Sequence, residues 1–302
     1  MSTIKNKYKL LHELIIMEKI DGFAIKKQGS LIVKDFGGHG ERNESTQAMI
    51  QAAVSLFQVP DFDWIIVNTG DHSIPQMGEV PIYSYSTKTR EFETCCPDFV
   101  FHKSGSAIPD YEQSRLWFRS FNAEPKMDVL GWRGAFVHPS RWVFISRCSD
   151  PWYPSFSTDQ VFDCSFIQWE QIDPTSQLPI NWLSLEDQIR NWRFHIDIEG
   201  AGYSGRLKLL LSSPRVVLVQ KRPFEEFFFE ELIPWVHYVP VERDFSDLTR
   251  NLEILRGNPS LESTIIHNAR QFADQHLTRY AALQRWAVIL EKRSCDSIAA
   301  AA

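Results

Sequence analysis

The stretch from Phe194 to Gln220 constrains this chain more than any other. Phe194 to Ile198 alternates in the manner of a strand and runs straight into Gly200-Ala201-Gly202-Tyr203-Ser204-Gly205. A helix from about Ser204 to Ser212 follows, with Leu207, Leu210 and Leu211 on its buried side. Ser213-Pro214 breaks it, and Arg215 to Gln220 (RVVLVQ) reads as the next buried strand. Strand, glycine turn, helix, strand is the unit from which open α/β layers are built. A glycine-rich turn also lets backbone N–H groups approach a ligand, and the start of the following helix favours an anion. Ser204 offers a hydroxyl, Arg206 a planar fork suited to a diphosphate, and Lys208 a further positive charge. The spacing matches neither G-x-G-x-x-G with a distant acid nor G-x-x-x-x-G-K-[ST], so the dinucleotide-dehydrogenase and P-loop readings fail. A merely tight connection between strand and helix is the alternative to a phosphate cradle.

The rest of the chain continues the alternation. The first 20 residues read as an amphipathic helix. Apolar residues alternate from Gly22 to Phe36 around Gln28-Gly29, which predicts a hairpin. Ser45 is expected to cap a helix carrying Met49, Ala52, Ala53, Leu56 and Phe57. Trp64 to Val67 is a short buried strand ending abruptly at Asn68-Thr69-Gly70-Asp71, and Val80 to Tyr85 is a second strand-like piece. Residues 120–128 read as a hinge, Val143 to Ile145 as strand or helix start, and 150–182 as irregular. Ser246 and Ser260 are expected to cap two helices, and a third runs from about Leu277 to Glu291. No internal repeat is found, and the terminal Ala299 to Ala302 is left out of the reading of the fold.

Composition narrows the function classes. Thirty-two Lys plus Arg against 38 Asp plus Glu leave a net charge of −6. That balance disfavours a polyanion-binding protein, so no nucleic-acid partner is expected. The five cysteines form no zinc spacing or credible disulfide framework, which points to a reducing compartment. The N-terminus mixes Lys and Glu into its apolar positions, and no run approaches the roughly 20 apolar residues needed to cross a bilayer. A cytoplasmic protein with no membrane span, free to associate peripherally, is the expectation.

Four further positions invite chemistry. Asp71 lies just past the end of a buried strand, where open α/β sheets bind ligands, and a carboxylate there can act as a general base. By position alone the plainer reading, that Asp71 caps a turn, is the stronger one. Arg133, in Leu-Gly-Trp-Arg-Gly-Ala, is flanked by Gly131 and Gly134, which would allow close approach of a ligand; a salt bridge is the plain alternative. Asp61 and Asp63 could hold a divalent metal against a diphosphate, but they precede their strand and so sit at the wrong edge of the sheet. The nine histidines show no metal-ligand spacing, and His72 and His237 are expected to satisfy local hydrogen bonds. No G-x-S-x-G elbow supports a serine hydrolase.

Several of these segments, taken in order, resemble glycosyltransferase family 90, the capsule-associated-protein and protein O-glucosyltransferase family. The stretch Glu226 to Val241 (EFFFEELIPWVHYVPV) followed by Asp244-Phe245-Ser246-Asp247-Leu248 is similar to the family's E-F-F-x-x-x-L-x-P-W-x-H-Y-x-P-V and acidic helix start. Gly200 to Lys208 resembles its G-x-x-x-S-x-R-x-K element and Trp132-Arg133-Gly134 its F-R-G segment. Val67 to Asp71 resembles the V-N-x-x-D strand end, and Pro81 to Ser86 the P-V-F-S-F-S run. Together they cover about residues 60–275.

The resemblance implies an α/β chain of GT-B type, with two Rossmann-like domains facing a central cleft. The acceptor-side domain would be residues 1–122, with the helix at 277–298 packed back on it, and the nucleotide-sugar-binding domain residues 123–276. It implies an inverting, metal-independent enzyme that moves glucose or xylose from a UDP-sugar to a glycan, lipid-linked glycan or glycoprotein. Asp71 matches the catalytic base. Ser204 and Arg206, within the Gly200, Gly202 and Tyr203 turn, match the donor-diphosphate contacts. Arg133 with Gly134 matches the segment facing the nucleotide, and Glu226 an acidic residue near the ribose. The family's secretory members carry signal peptides, paired cysteines and a retention signal, none of which is read here. No cofactor beyond the donor is expected. The alternatives are a metal-dependent transferase using Asp61 and Asp63, and a non-catalytic nucleotide-sugar or carbohydrate-binding protein.

Overall fold

The computed structural model describes residues 20–76, 79–88, 92–103, 108–149 and 161–299. The helix expected over the first 20 residues lies outside them, save Ile20. The chain divides into two compact units. The first comprises the described residues up to Gln113, Pro223–Glu230, and the chain from His276 on; the second comprises Ser114–Arg222 and Glu231–Gln275.

In the first unit, β1 (Gly22–Gln28) and β2 (Ser30–Gly37) form the expected antiparallel hairpin, closed where Gln28 pairs with Ser30. Helix α1 (Gly40–Phe57) follows, then β3 (Phe62–Asn68) and β4 (Ile82–Ser84). Strand order is β2-β1-β3-β4, with only the β3/β4 pair parallel among these strands. This mixed sheet differs from the all-parallel layer of a Rossmann-like half, because the Gln28-Gly29 turn commits β1 and β2 to antiparallel pairing. Ser45 does not cap α1: the helix starts five residues earlier, and Ser45 is buried within it. The neighbouring Asn43 gives the reason, since its Nδ2 donates to Gly37 O at 3.1 Å and to Asp35 Oδ1 at 3.2 Å, tying the first turn to the hairpin.

The second unit begins within α2 (Tyr111–Ser120) and continues with β5 (Met127–Gly134), α3 (Pro139–Ser149) and β6 (Phe162–Phe166). Next come a small hairpin of β7 (Gln168–Ile172) and β8 (Pro179–Ile180), helix α4 (Leu185–Asn191) and β9 (Trp192–Asp197). Helix α5 (Leu207–Ser212), β10 (Val216–Gln220), β11 (Val239–Val241), α6 (Leu248–Gly257) and α7 (Pro259–His276) complete it. The strands stand in order β11-β10-β9-β5-β6, and every pair is parallel. A parallel sheet covered on both faces needs strands apolar on both sides, which is why β10 reads Val-Val-Leu-Val-Gln and is buried throughout. The last helix, α8 (Arg279–Ala299), packs on α1 and β3 of the first unit.

Several expectations change. The described part of 150–182 is not irregular, since β6, β7, β8 and the start of the sheet's edge lie there. Residues 143–145 are helical, one of the two readings left open for them, and β5 begins inside the stretch read as a hinge. Ser184 caps α4 by accepting from Asp187 N at 3.0 Å, a local start signal the reading passed over. Ser246 and Ser260 cap nothing: α6 starts from Asp247, and α7 starts at Pro259, with Asn258 Oδ1 accepting from Leu261 N at 3.0 Å. No described helix is long and apolar enough to cross a membrane.

Candidate active site

The second unit's sheet reverses its winding between β5 and β9: the chain adds β6 on one side of β5, then β9, β10 and β11 on the other. Such a switch point, outside the carboxyl ends of the strands, is where open α/β sheets leave a crevice for ligands. Arg133 is the penultimate residue of β5, Asp197 ends β9 and Arg222 follows β10.

Asp197, which the sequence reading missed, organises this edge. Its side chain is fully buried, accepts from Ser204 Oγ at 2.5 Å and from Arg222 Nη1 at 2.6 Å, and lies 3.6 Å from Arg206 Nε. The Ser204 hydroxyl, read as a donor to phosphate, is thus engaged by a carboxylate. Arg206 Nη1 donates to Arg133 O at 2.8 Å and its guanidinium stands 5.4 Å from the Trp132 ring centroid. Its Nη2 is buried with no hydrogen-bond partner among the described residues. Burial pulls the Arg206 pKa down, opposed by Asp197. Arg141, also unforeseen, comes from α3: Nε donates to Glu199 O at 3.0 Å and Nη1 to Ala135 O at 2.9 Å. Burial and the neighbouring Arg206 bring its pKa down to about 10.

The glycine turn is real but its helix is shorter than expected. α5 starts at Leu207 and has six residues, so Gly200 to Arg206 form a turn of their own. A Cβ at Gly200 would come within 3.2 Å of Tyr203 O and 3.4 Å of Arg141 Nη2. Gly202 and Lys208 are buried and Tyr203 half-buried, with the Lys208 ammonium 5.7 Å from the Tyr203 ring centroid.

Arg133 is paired within the unit. Nη2 donates to Asp163 Oδ1 at 2.5 Å and Nη1 to Asp163 O at 2.7 Å, and the guanidinium sits 5.0 Å from the Trp192 ring centroid. Asp163 also accepts from Trp192 Nε1 at 2.8 Å. The flanking glycines make room for protein: a Cβ at Gly131 would lie 1.7 Å from Trp192 Cδ2, and one at Gly134 2.6 Å from Trp132 Cζ2. Their role as openings for a ligand is therefore corrected. Tryptophan rings occupy that space, and the one at Gly131 comes from Trp192, a long-range packing demand that local sequence does not reveal.

In the first unit, Asp71 follows β3 in a turn held by Asn68, whose Nδ2 donates to His72 O at 2.7 Å and Ser84 Oγ at 3.1 Å. Arg42 Nη1 donates to Asp71 Oδ1 at 2.9 Å and to Thr69 O at 3.0 Å. Arg42 escaped notice because it is 29 residues away in a helix. Glu226 belongs to this unit too and is buried, near enough for its charge to help burial push the Cys95 thiol upward. Asp61 and Asp63 stand at the opposite end of β3 from Asp71. Asp61 accepts from Lys27 Nζ at 2.9 Å and from Gly29 N at 2.9 Å and 3.0 Å, and these contacts lower its pKa; Asp63 Oδ1 accepts from Trp64 N at 2.8 Å. His237 Nδ1 accepts from Ile233 N at 3.0 Å, the local role expected of it.

Comparison with known proteins identifies the class as the glycosyltransferases. The chain belongs to glycosyl transferase family 90, whose model matches residues 46–294. It is 24% identical over 232 residues to protein O-glucosyltransferase 1 of Rattus norvegicus, covering 73% of this chain and 59% of that one. It is 28% identical over 198 residues to an O-glucosyltransferase rumi homolog of Anopheles gambiae, covering 61% and 48%. The chain thus spans less than two thirds of the length of these curated relatives. Among solved structures, the C-terminal domain of a glycosyl transferase group 1 family protein (LpcC) from Francisella tularensis matches with a TM-score of 0.34 and 12% identity, over 59% of this chain and 96% of that one.

Proposed function

We propose that the chain is an inverting, GT-B-type glycosyltransferase that moves glucose or xylose from a UDP-sugar to a hydroxyl of a glycan, lipid-linked glycan or glycoprotein. It would work without a metal ion, in the cytoplasm. The relatives' names favour glucose and a protein acceptor. The observation that carries the reading is Arg206 Nη2 at the sheet's switch point, buried and without a hydrogen-bond partner among the described residues. Arg133 is matched by Asp163 and Arg222 by Asp197, whereas the closest partners of Arg141 and Arg206 are neutral carbonyls. Arg133 Nε on the same edge is likewise buried with no hydrogen-bond partner among the described residues, and a diphosphate would supply acceptors there.

In the proposed step the acceptor hydroxyl gives its proton to Asp71 while its oxygen bonds to the anomeric carbon. The bond from that carbon to the diphosphate oxygen breaks, and its electron pair leaves with UDP. Arg206 and Arg141 stabilise the charge growing on the leaving group, an effect strongest where water is excluded. Gly200, Gly202, Tyr203 and Ser204 would line the diphosphate site, and Arg133 and Glu226 would serve the nucleotide. A metal-dependent transfer through Asp61 and Asp63 has less support, because the hairpin occupies the Asp61 carboxylate.

Turnover of UDP-glucose and UDP-xylose, measured with and without a strong chelator, tests the reading. Turnover that survives chelation is expected. Turnover abolished by the chelator would favour Asp61 and Asp63. UDP binding without turnover of either sugar would favour a non-catalytic binding protein.

A further inference from the structure

The cation beside Asp71 occupies a place that helix electrostatics disfavour. Arg42 lies in the first turn of α1, where the aligned peptide dipoles present partial positive charge and a cation is destabilising. Besides the bond from Arg42 to Thr69 O, the 68–72 turn has several ties of its own. Asn68 Nδ2 ties His72 O and Ser84 Oγ, Gly70 N donates to Asn68 Oδ1 at 3.2 Å, Thr69 Oγ1 donates to Asn43 Oδ1 at 2.7 Å, and Thr69 N donates to Asp21 O at 2.8 Å. Arg42 adds a hydrogen bond to Asp71 Oδ1, made by the same nitrogen that bonds Thr69 O. The Phe99 ring, 5.1 Å from the guanidinium, restricts where that fork can sit. Asp71 Oδ2 has no hydrogen-bond partner among the described residues.

We infer that Arg42 is a positioning residue for sugar transfer: it holds Oδ1 and leaves Oδ2 to accept the hydroxyl proton. This rests on the reading of Asp71 as general base. Arg42 touches no reacting atom in this scheme. It holds the carboxylate in one orientation before the acceptor arrives, and misplacement of a reacting group by about 1 Å can cost on the order of 100-fold in rate. The flexible ammonium of lysine would replace the planar fork only in part.

The test is steady-state turnover of UDP-glucose, or of UDP-xylose if that is the sugar used, by the full chain and its variants, with folding followed by thermal melting. Arg42→Ala is expected to lower kcat by about 10- to 100-fold, with the donor KM within roughly twofold of wild type. Arg42→Lys should recover part of the loss, and millimolar guanidinium should partly rescue Arg42→Ala but not Asp71→Asn. In an Asp71→Asn background, Arg42→Ala should change the residual rate no further, because neighbours acting through one group are not additive. Wild-type kcat in Arg42→Ala would overturn the proposal, as would a loss confined to KM or the same loss in the Asp71→Asn background. If Arg42→Ala does not fold, Arg42→Lys carries the test: kcat equal to wild type overturns it. Failure of the base reading looks different, since Asp71→Asn would then turn over like wild type.

Discussion

Arg222 Nη1 donates to Asp197 Oδ2 at 2.6 Å, and the two side chains are 1% and 0% exposed. A charge pair so far from water holds only while both members are present, because removing one leaves an uncompensated buried charge. Asp197 also anchors Ser204 and faces Arg206, so it shapes the whole arginine cluster without needing to touch a ligand.

Asp197→Ala should therefore destabilise the second unit by about 3–5 kcal/mol, the range for breaking a buried ion pair. Chemical denaturation checks this. A midpoint unchanged from wild type would mean that water already reaches the pair.

Asp71→Asn keeps the shape of the side chain and removes its ability to take a proton. Transfer should be lost while UDP affinity stays at the wild-type value. Titration calorimetry with UDP beside a turnover assay separates the two, and wild-type turnover would remove Asp71 as base.

Arg206→Ala should weaken UDP binding by about 1.5–3 kcal/mol, the range for hydrogen bonds to charged groups. Calorimetry reads this directly. An unchanged affinity would dispose of the diphosphate site at the switch point.

Gly131→Ala should destabilise the chain at the upper end of the roughly 1–3 kcal/mol that overpacking costs. The added methyl would need the space of the Trp192 ring, 1.7 Å away. A wild-type melting temperature would show that the ring moves aside at no cost.

His195 supplies a pH dependence. Burial, with Arg215 and Arg206 nearby, lowers its pKa to about 3. The unfolded chain, with an ordinary histidine pKa near 6.5, then binds the proton more readily than the folded one, so this group's effect is absent above about pH 6.5 and stability falls as pH drops from there toward 3. At pH 5 the loss from this group is about 2 kcal/mol. Denaturation at pH 7 and pH 5, compared with His195→Gln, measures it; identical pH slopes in the two proteins would rule it out.

Much of the fold is legible in local pattern. The hairpin around Gln28-Gly29, the buried strands near 64–67 and 215–220, and the glycine turn leaving β9 all follow from periodicities and turn residues that act within a few positions. Where local signals were polar and short, tertiary contacts decided instead. Asn43 bonded to the hairpin and carried α1 past Ser45, and β6, with Asp163 facing Arg133, made a strand of a segment that looked irregular.

By itself the sequence determined the alternation of strands and helices, the family, and which side chains are chemically capable, because those depend on residue type and spacing. Only the tertiary structure decided how these side chains are used. It committed the Ser204 hydroxyl to Asp197, filled the space at Gly131 and Gly134 with tryptophan rings, and brought Arg42 to Asp71. Arg42 with Asp71 and Gly131 with Trp192 are contacts between residues distant in the chain, and the free energy of each contact belongs to neither residue alone.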